Sequence, residues 1–509
     1  VSNSPEQRWA SLLCSGRRKK EAQLQSAETA KPAPQETKLE GVGSQSTSNE
    51  TRTDIERDYD RILFSTPVRR LADKTQVFPL EKNDSVRTRL THSHEVSNLA
   101  RSIGTTLAFE HKIAGESDRA KRDIPALLAA IGLAHDLGNP PFGHQGEAAI
   151  QSWFKDHQEK VLDERHRPML AQQKQDFLKF EGNAQAFRLV TRLQLLNDEF
   201  GLDLTYATLS AMMKYPCRSH EVTSGGSAAC KKHGFFSSEA EIAELVQSKV
   251  GLALGKRHPF AYVMEACDDI AYVVLDVEDA VKKGLASFSD LLSYIEHQAN
   301  GDALVGEVVK HSRVKHNQYR NEAPHLSPAE LNDVSMQRFR AFAISALVLS
   351  ATTTFMSEQY HESFLTGEQP KSLLALSSGE RLRKVLKDFA IVHAYNNRAV
   401  LELELEGYNV LRGLMDIFWE AITDVDDSTD PKAKRRHPFN RYVYGRISEN
   451  YRRVYEATPR GQSTRYHECV LLTDMVSGMT DSYAMSLYEE LAPMKRDYDA
   501  EKSELSSAK

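Results

Sequence analysis

From residue 54 onward, apolar residues recur every three to four positions, and nowhere do Val, Ile and Thr alternate with polar residues in strand fashion. Residues 54–64, Asp-Ile-Glu-Arg-Asp-Tyr-Asp-Arg-Ile-Leu-Phe, form the first amphipathic pattern. A second predicted helix opens near Val86, with Leu90, Val96, Leu99, Ile103 and Leu107 in phase. A third covers 123–137, where Ile124, Leu127, Leu128, Ile131 and Ala134 share a face until Gly138-Asn-Pro-Pro141 stops it. Residues 155–180 read as a polar helix-and-loop insertion. Helical phasing returns at 189–196 and at 209–215, which Pro216 ends before a Ser/Gly loop over 219–234. The segment 259–281 is apolar nearly all round, so it should be a buried helix. Beyond about residue 285 the pattern stays helical, broken by polar connections at 360–373 and 424–437. The expected fold is all-α, a helical bundle with a helical C-terminal extension. Its expected divisions are a disordered or poorly packed segment 1–52, a core with insertions over 53–290, and a C-terminal region over 291–509.

Composition narrows this picture modestly. Hydrophobic residues make up 40% and charged residues 27% of 509, which suits a soluble globular chain. The stretch 31–50 has almost nothing to bury and reads as a linker. A net charge of −6 provides no overall basic field for nucleic acid, although the run Lys432-Ala-Lys-Arg-Arg436 could meet phosphates. Five scattered cysteines make no disulfide framework, and no signal-like or membrane-length apolar run is evident, so a cytoplasmic location is expected. There is no G-x-x-x-x-G-K-[ST] phosphate loop and no internal repeat. Cys217-x-x-His220 and Cys230-x-x-His233 offer zinc-type ligands at short spacing in a loop with little core around it.

Three helices carry chemistry. His135 and Asp136 end the third, where a carboxylate meets the negative end of the helix dipole and calls for a cation. His92 falls on the buried side of the second, with Arg87 and Arg89 just upstream. On the buried helix, Asp268, Tyr272 and Asp276 recur at i, i+4 and i+8, drawing one polar stripe down a hydrophobic rod. A buried carboxylate must be protonated, paired or metal-bound. Taken singly, each has a plain alternative: a capping pair, a satisfied core histidine, a solvated stripe. Together, two imidazoles and two carboxylates suit one octahedral divalent ion, and the reaction such a site serves is phosphate-ester hydrolysis. His144 and Glu147, just past the turn, can move protons.

The order His92, His135-Asp136, Asp268 resembles that of the HD phosphohydrolase superfamily. More narrowly, several motifs are similar to bacterial deoxyguanosine triphosphate triphosphohydrolases over about residues 54–495. They are Arg69-Arg-Leu-x-x-Lys-Thr-Gln-Val-Phe, Arg87-Thr-Arg-Leu-Thr-His92, His135-Asp-Leu-Gly-Asn-Pro-Pro-Phe-Gly-His144-x-Gly-Glu147, Glu181-Gly-Asn-Ala-Gln, Glu265-Ala-x-Asp-Asp-Ile-x-Tyr272 and Ser477-Gly-Met-Thr-Asp. The resemblance implies cleavage of a deoxynucleoside triphosphate, dGTP foremost, to deoxynucleoside and tripolyphosphate by attack at the α-phosphorus. It implies His92, His135, Asp136 and Asp268 as ligands of one divalent ion (Mn, Mg or Co, with Fe admitted by the same donors), and Asp268 rather than Asp269. His144 would transfer the proton, held by Glu147. Gln76 and Asp276 would bond the sugar 3′-hydroxyl and Tyr272 would pack under the ribose. Arg87, Asn183, Lys214 and Tyr215 would hold phosphates or sugar. Tyr395, Glu404 and Arg441 would read the base or reach a neighbouring subunit. It also implies a homo-oligomer, often a hexamer, with a nucleotide or single-stranded DNA as effector, and no membrane. The long polar N-terminus and the 217–233 loop depart from the family pattern. Two other readings stand beside this one: an HD phosphodiesterase on another nucleotide, and a nucleotide- or single-strand-sensing HD protein without turnover.

Overall fold

The structure, a computed structural model, describes residues 5–29, 50–80, 86–164, 167–194, 199–223, 227–459 and 464–507. Among them there are helices, turns and three isolated bridge pairs but no strand, so the all-α expectation holds. The helix α1 (Asp54–Leu63) starts at a capping box in which the Glu56 N–H donates to Thr53 Oγ1 at 3.2 Å and the Thr53 N–H to Glu56 Oε2 at 2.7 Å. α2 (Arg89–Thr105) and α3 (Asp118–Ala134) pack as a close pair. Gly132 permits this approach: a Cβ there would lie 2.8 Å from the Cα of Ser97. Because the backbones meet there, His92 and His135 end up side by side.

α3 ends where the sequence says it must. Gly138 then turns against α5 (Gly182–Arg188), where a Cβ would come within 2.1 Å of the Gly182 carbonyl oxygen. The chain re-enters helix as α4 (Gly143–Asp156), bearing His144 and Glu147. α6 (Tyr206–Met212) leads to Lys214 and Tyr215. α7 (Pro259–Lys282) opens with Pro at its first turn and the His258 ring as cap. Its buried residues face every direction, among α2, α3, α8 (Pro328–Phe355) and the helix Glu380–Ala390. α9 (Arg398–Thr423) lies across α4, and α11 (Asp481–Ser507) packs on α9 after α10 (Thr464–Ser477). One apolar core runs from Trp9 to Leu491, so the 53–290 and 291–509 segments share it.

The N-terminal expectation needs correction. Pro5–Leu12 and Arg18–Thr29 are helical, and Trp9, 1% exposed, packs tilted against Phe260 with ring centroids 5.0 Å apart while Arg17 pairs with buried Asp58 at 2.8 Å. Two apolar anchors in a polar segment sufficed, because α7 offers them a finished surface. Of the 31–50 linker reading, residues 31–49 lie outside the described residues.

A buried charge cluster ties the layers together. Arg188 of α5 donates to Asp474 of α10 at 2.8–3.1 Å and to Glu239 at 2.7 Å, all three buried. Removing the cation leaves two buried carboxylates facing each other. Arg188→Ala should therefore lower unfolding free energy by about 3–5 kcal/mol, checked by urea denaturation.

Candidate active site

Two imidazoles and two carboxylates from three separated stretches converge. Ligand atoms of His92, His135 and Asp136 lie within 4.8 Å of one another. Asp268 Oδ1, from α7, lies 3.3 Å from His92 Nε2 and 3.5 Å from His135 Nε2. His135 is oriented by its own helix: Nδ1 sits 2.7 Å from the Gly132 carbonyl, which can only accept, so Nδ1 carries a proton and, in the neutral ring, Nε2 is the nitrogen that keeps the lone pair. That Nε2 is buried and has no hydrogen-bond partner among the described residues. A buried bare nitrogen aimed at carboxylates is what a cation would satisfy.

The electrostatics agree. Burial pushes the His135 imidazole down, but Asp136 and Asp268 outweigh it and raise it to about 9. Burial likewise opposes ionisation of Asp136, yet His135 and Arg89 hold it at about 2. Asp268 sits well below its usual range because His135 and Lys214 overcome its burial. The pocket thus stabilises positive charge between ionised carboxylates, and its N/O donor set suits a divalent ion. Arg89 Nη1 at 2.7 Å and Asn139 Nδ2 at 2.5 Å donate to Asp136 and fix its angle. Its neighbour Asp269 points instead towards Arg383, 4.0 Å away, and burial lifts it to about 6.

His144 and Glu147 lie on the first turn of α4. The His144 side chain is 90% exposed, with Nδ1 3.3 Å from Glu147 Oε2. Glu147 is buried and accepts from the Gly182 N–H at 2.8 Å. Burial pushes its carboxyl up, but the bond to His144 and the charge of Lys232 bring it below the usual range. Lys232 lies 3.8 Å from Glu147 and 2.6 Å from Glu181, which in turn accepts from Asn183 at 2.7 Å. Nothing in the loop's composition marks Lys232, so sequence reasoning misses it; Glu181, in the Glu181-Gly-Asn-Ala-Gln motif, gains its role only from this contact.

The other expected residues distribute unevenly. Lys214 Nζ reaches Asp268 at 3.4 Å and Glu265 at 3.7 Å, with Arg257 bracing Glu265 at 2.7 Å and lying over the Tyr215 ring. Tyr272 stacks on Tyr395 at 5.7 Å, and the Tyr395 hydroxyl donates to Asp276 Oδ2 at 2.6 Å. Gln76 keeps a buried Oε1 without a partner among the described residues. Val77 and Phe78 beside it pack with Ala280 and Tyr395, near the Asp276 end of α7. Glu404 accepts from Gln145 at 3.4 Å, one residue from His144. Arg441 is exposed on Pro438–Gly445, and no described hydrogen bond or ion pair joins it to the cluster. Arg87, expected to hold phosphate or sugar, has its guanidinium enclosed by Glu95 at 3.0 Å and by Glu278 and Asp279 at 2.5 Å. In the loop after Tyr215, the Cys217 and Cys230 thiols lie in contact, but both ring nitrogens of His233 face backbone carbonyls and His220 is exposed, so no group of three metal donors forms there among the described residues.

A helical core that brings His, His-Asp and Asp together defines an HD-domain hydrolase, and the HD domain family model matches residues 89–180. HD domains are metal-dependent, and the donors described here fit that requirement. Among curated proteins, a deoxyguanosinetriphosphate triphosphohydrolase-like protein of Listeria innocua is 36% identical over 464 residues, 88% of this chain and 96% of that protein. A probable deoxyguanosinetriphosphate triphosphohydrolase of Pseudomonas aeruginosa is 33% identical over 86% of this chain and 93% of its own length. The deoxyguanosinetriphosphate triphosphohydrolase of Serratia proteamaculans is 31% identical over the same shares. The chain belongs to the deoxyguanosinetriphosphate triphosphohydrolase family. No described helix is long and apolar enough to cross a membrane.

Proposed function

We propose that the protein hydrolyses deoxynucleoside triphosphates, dGTP foremost, at the α-phosphorus, releasing the deoxynucleoside and tripolyphosphate. The observation that carries this reading is the continuity of the site. Asn139 bonds the ligand Asp136 and lies against Gly182, which donates to Glu147, while Tyr272 and Asp276 follow Asp268 one and two turns along α7, an order that supports one nucleotide laid across all three groups.

His92, His135, Asp136 and Asp268 would hold one divalent ion (Mn, Mg or Co), which when bound polarises a phosphoryl oxygen and lowers the pKa of water. Water oxygen bonds to the α-phosphorus and the bond from phosphorus to O5′ breaks. Exposed His144 would deliver a proton to the departing O5′, with Glu147 fixing the ring. Lys214, Tyr215 and Asn183 line the phosphate side. Gln76, with its unpartnered oxygen, and Asp276 would take the 3′-hydroxyl once the sugar displaces the Tyr395 hydroxyl. Tyr272 would close the space a 2′-hydroxyl needs. Tyr395 and Glu404 would face the base: an aromatic stacks on guanine, and a carboxylate accepts from its N1–H and N2 amino group. Arg87 we assign to bracing α2 against α7. Exposed Arg441 would serve a neighbouring subunit of a homo-oligomer, as would the exposed Leu401 and Leu405 of α9.

Incubation with Mn²⁺ and each of the four dNTPs and GTP, with product identification, tests the proposal. The expected result is tripolyphosphate, fastest from dGTP and poorly from GTP. Release of pyrophosphate or monophosphate would favour a phosphodiesterase, and binding without products a sensor.

A further inference from the structure

The turn that aims His144 and Glu147 is held in part from outside the helices that flank it. Phe142, immediately before α4, has φ +59° and ψ +21°, a left-handed corner that a residue with a Cβ rarely adopts, and it receives no side-chain cap. Such a corner persists only where its surroundings over-determine it. Two groups from the distant C-terminal half do so. Asp481, the first residue of α11 and 2% exposed, accepts the Phe142 N–H on Oδ1 at 3.0 Å. Gly407 of α9 lies directly under the Phe142 ring, where a Cβ would come within 2.4 Å of it.

The second oxygen of Asp481 is committed elsewhere. Oδ2 accepts the Thr75 N–H at 2.8 Å and the Thr75 hydroxyl, one residue before Gln76. Buried Lys74 donates to the carbonyls of Asn139 at 2.5 Å and Ser477 at 2.9 Å, sewing the same three segments together. One carboxylate therefore spans the entry to the proton-transfer helix and the segment that presents Gln76. Neither oxygen is free for substrate.

We propose that Asp481 is a positioning residue for the hydrolysis, holding the Phe142 corner so that His144 and Glu147 face the scissile phosphate in register with the sugar-binding segment. The inference rests on the proposed function. Asp481→Asn keeps the shape, but its amide nitrogen cannot accept, so either Phe142 or Thr75 loses its acceptor. In the metal-loaded full-length protein, kcat on the preferred dNTP should fall roughly 10²-fold, with metal content unchanged. The same substitution made in a His144→Ala background should cost kcat far less, because no proton-transfer group is left to aim and only the Gln76 segment is left to hold. A merely structural role would lower both backgrounds alike. Should Asp481→Asn fold poorly, Gly407→Ala pushes the same corner from the opposite side and should reproduce the loss and its dependence on His144. Undiminished kcat in a folded variant, or an equal loss without His144, overturns the inference while leaving the function intact. Failure of the wild-type protein to hydrolyse any dNTP overturns both.

Discussion

Replacing His135 with alanine is expected to empty the site of its ion and to reduce turnover by on the order of 10³-fold or more, since several kcal/mol of transition-state charge stabilisation go with the ion. His135 contributes the buried, otherwise unpartnered Nε2 at the centre of the cluster, pre-set by the Gly132 carbonyl. Without it, Asp136 still has Arg89 and Asn139, and Asp268 still has Lys214, so both carboxylates can remain paired in a folded protein. The loss should therefore appear as missing metal, not as unfolding. Metal analysis of the purified variant beside its thermal transition separates the two. Asp269→Asn is the paired control: its carboxyl faces Arg383, so the protein should keep its metal. A His135→Ala protein with wild-type metal content and normal turnover would refute the ligand assignment.

What could be read from the sequence was whatever chemistry repeats with helical period. Asp268, Tyr272 and Asp276 on an apolar helix, and His135-Asp136 at a helix end cut by Gly and Pro, required no neighbours to stand out. The motifs then identified which separated helices belong together, which periodicity alone does not. Partners chosen by tertiary packing were not legible. Glu278 and Asp279 lie one turn beyond the stripe, and only the crossing of α2 over α7 shows that they capture Arg87. Lys232 sits in a polar loop indistinguishable by composition from any surface connection, yet it reaches Glu147 and Glu181. The N-terminal helices were discounted on average polarity, whereas burial was decided by single residues, Trp9 and Leu12.

The second large effect should come from the proton-transfer pair with the metal cluster left whole. His144 is exposed and touches the rest of the protein chiefly through Glu147 on its own first turn, so His144→Ala removes little packing. Its stability and metal content should match the parent, and kcat should fall by about 10²–10⁴-fold, the usual contribution of a positioned acid or base. Glu147→Gln is more informative. The amide can still accept the Gly182 N–H, so the turn stays tied to α5, but the negative charge opposite His144 and Lys232 is gone. The ring then loses its charged acceptor while remaining present. The expected loss is smaller than for His144→Ala, and in the double variant the two losses should not add, since Glu147 acts through the ring. Steady-state kinetics on the four proteins, each assayed at matched metal occupancy, checks this. Full additivity would mean that Glu147 contributes by a separate route, and wild-type turnover in His144→Ala would remove the proton-transfer role from this histidine altogether.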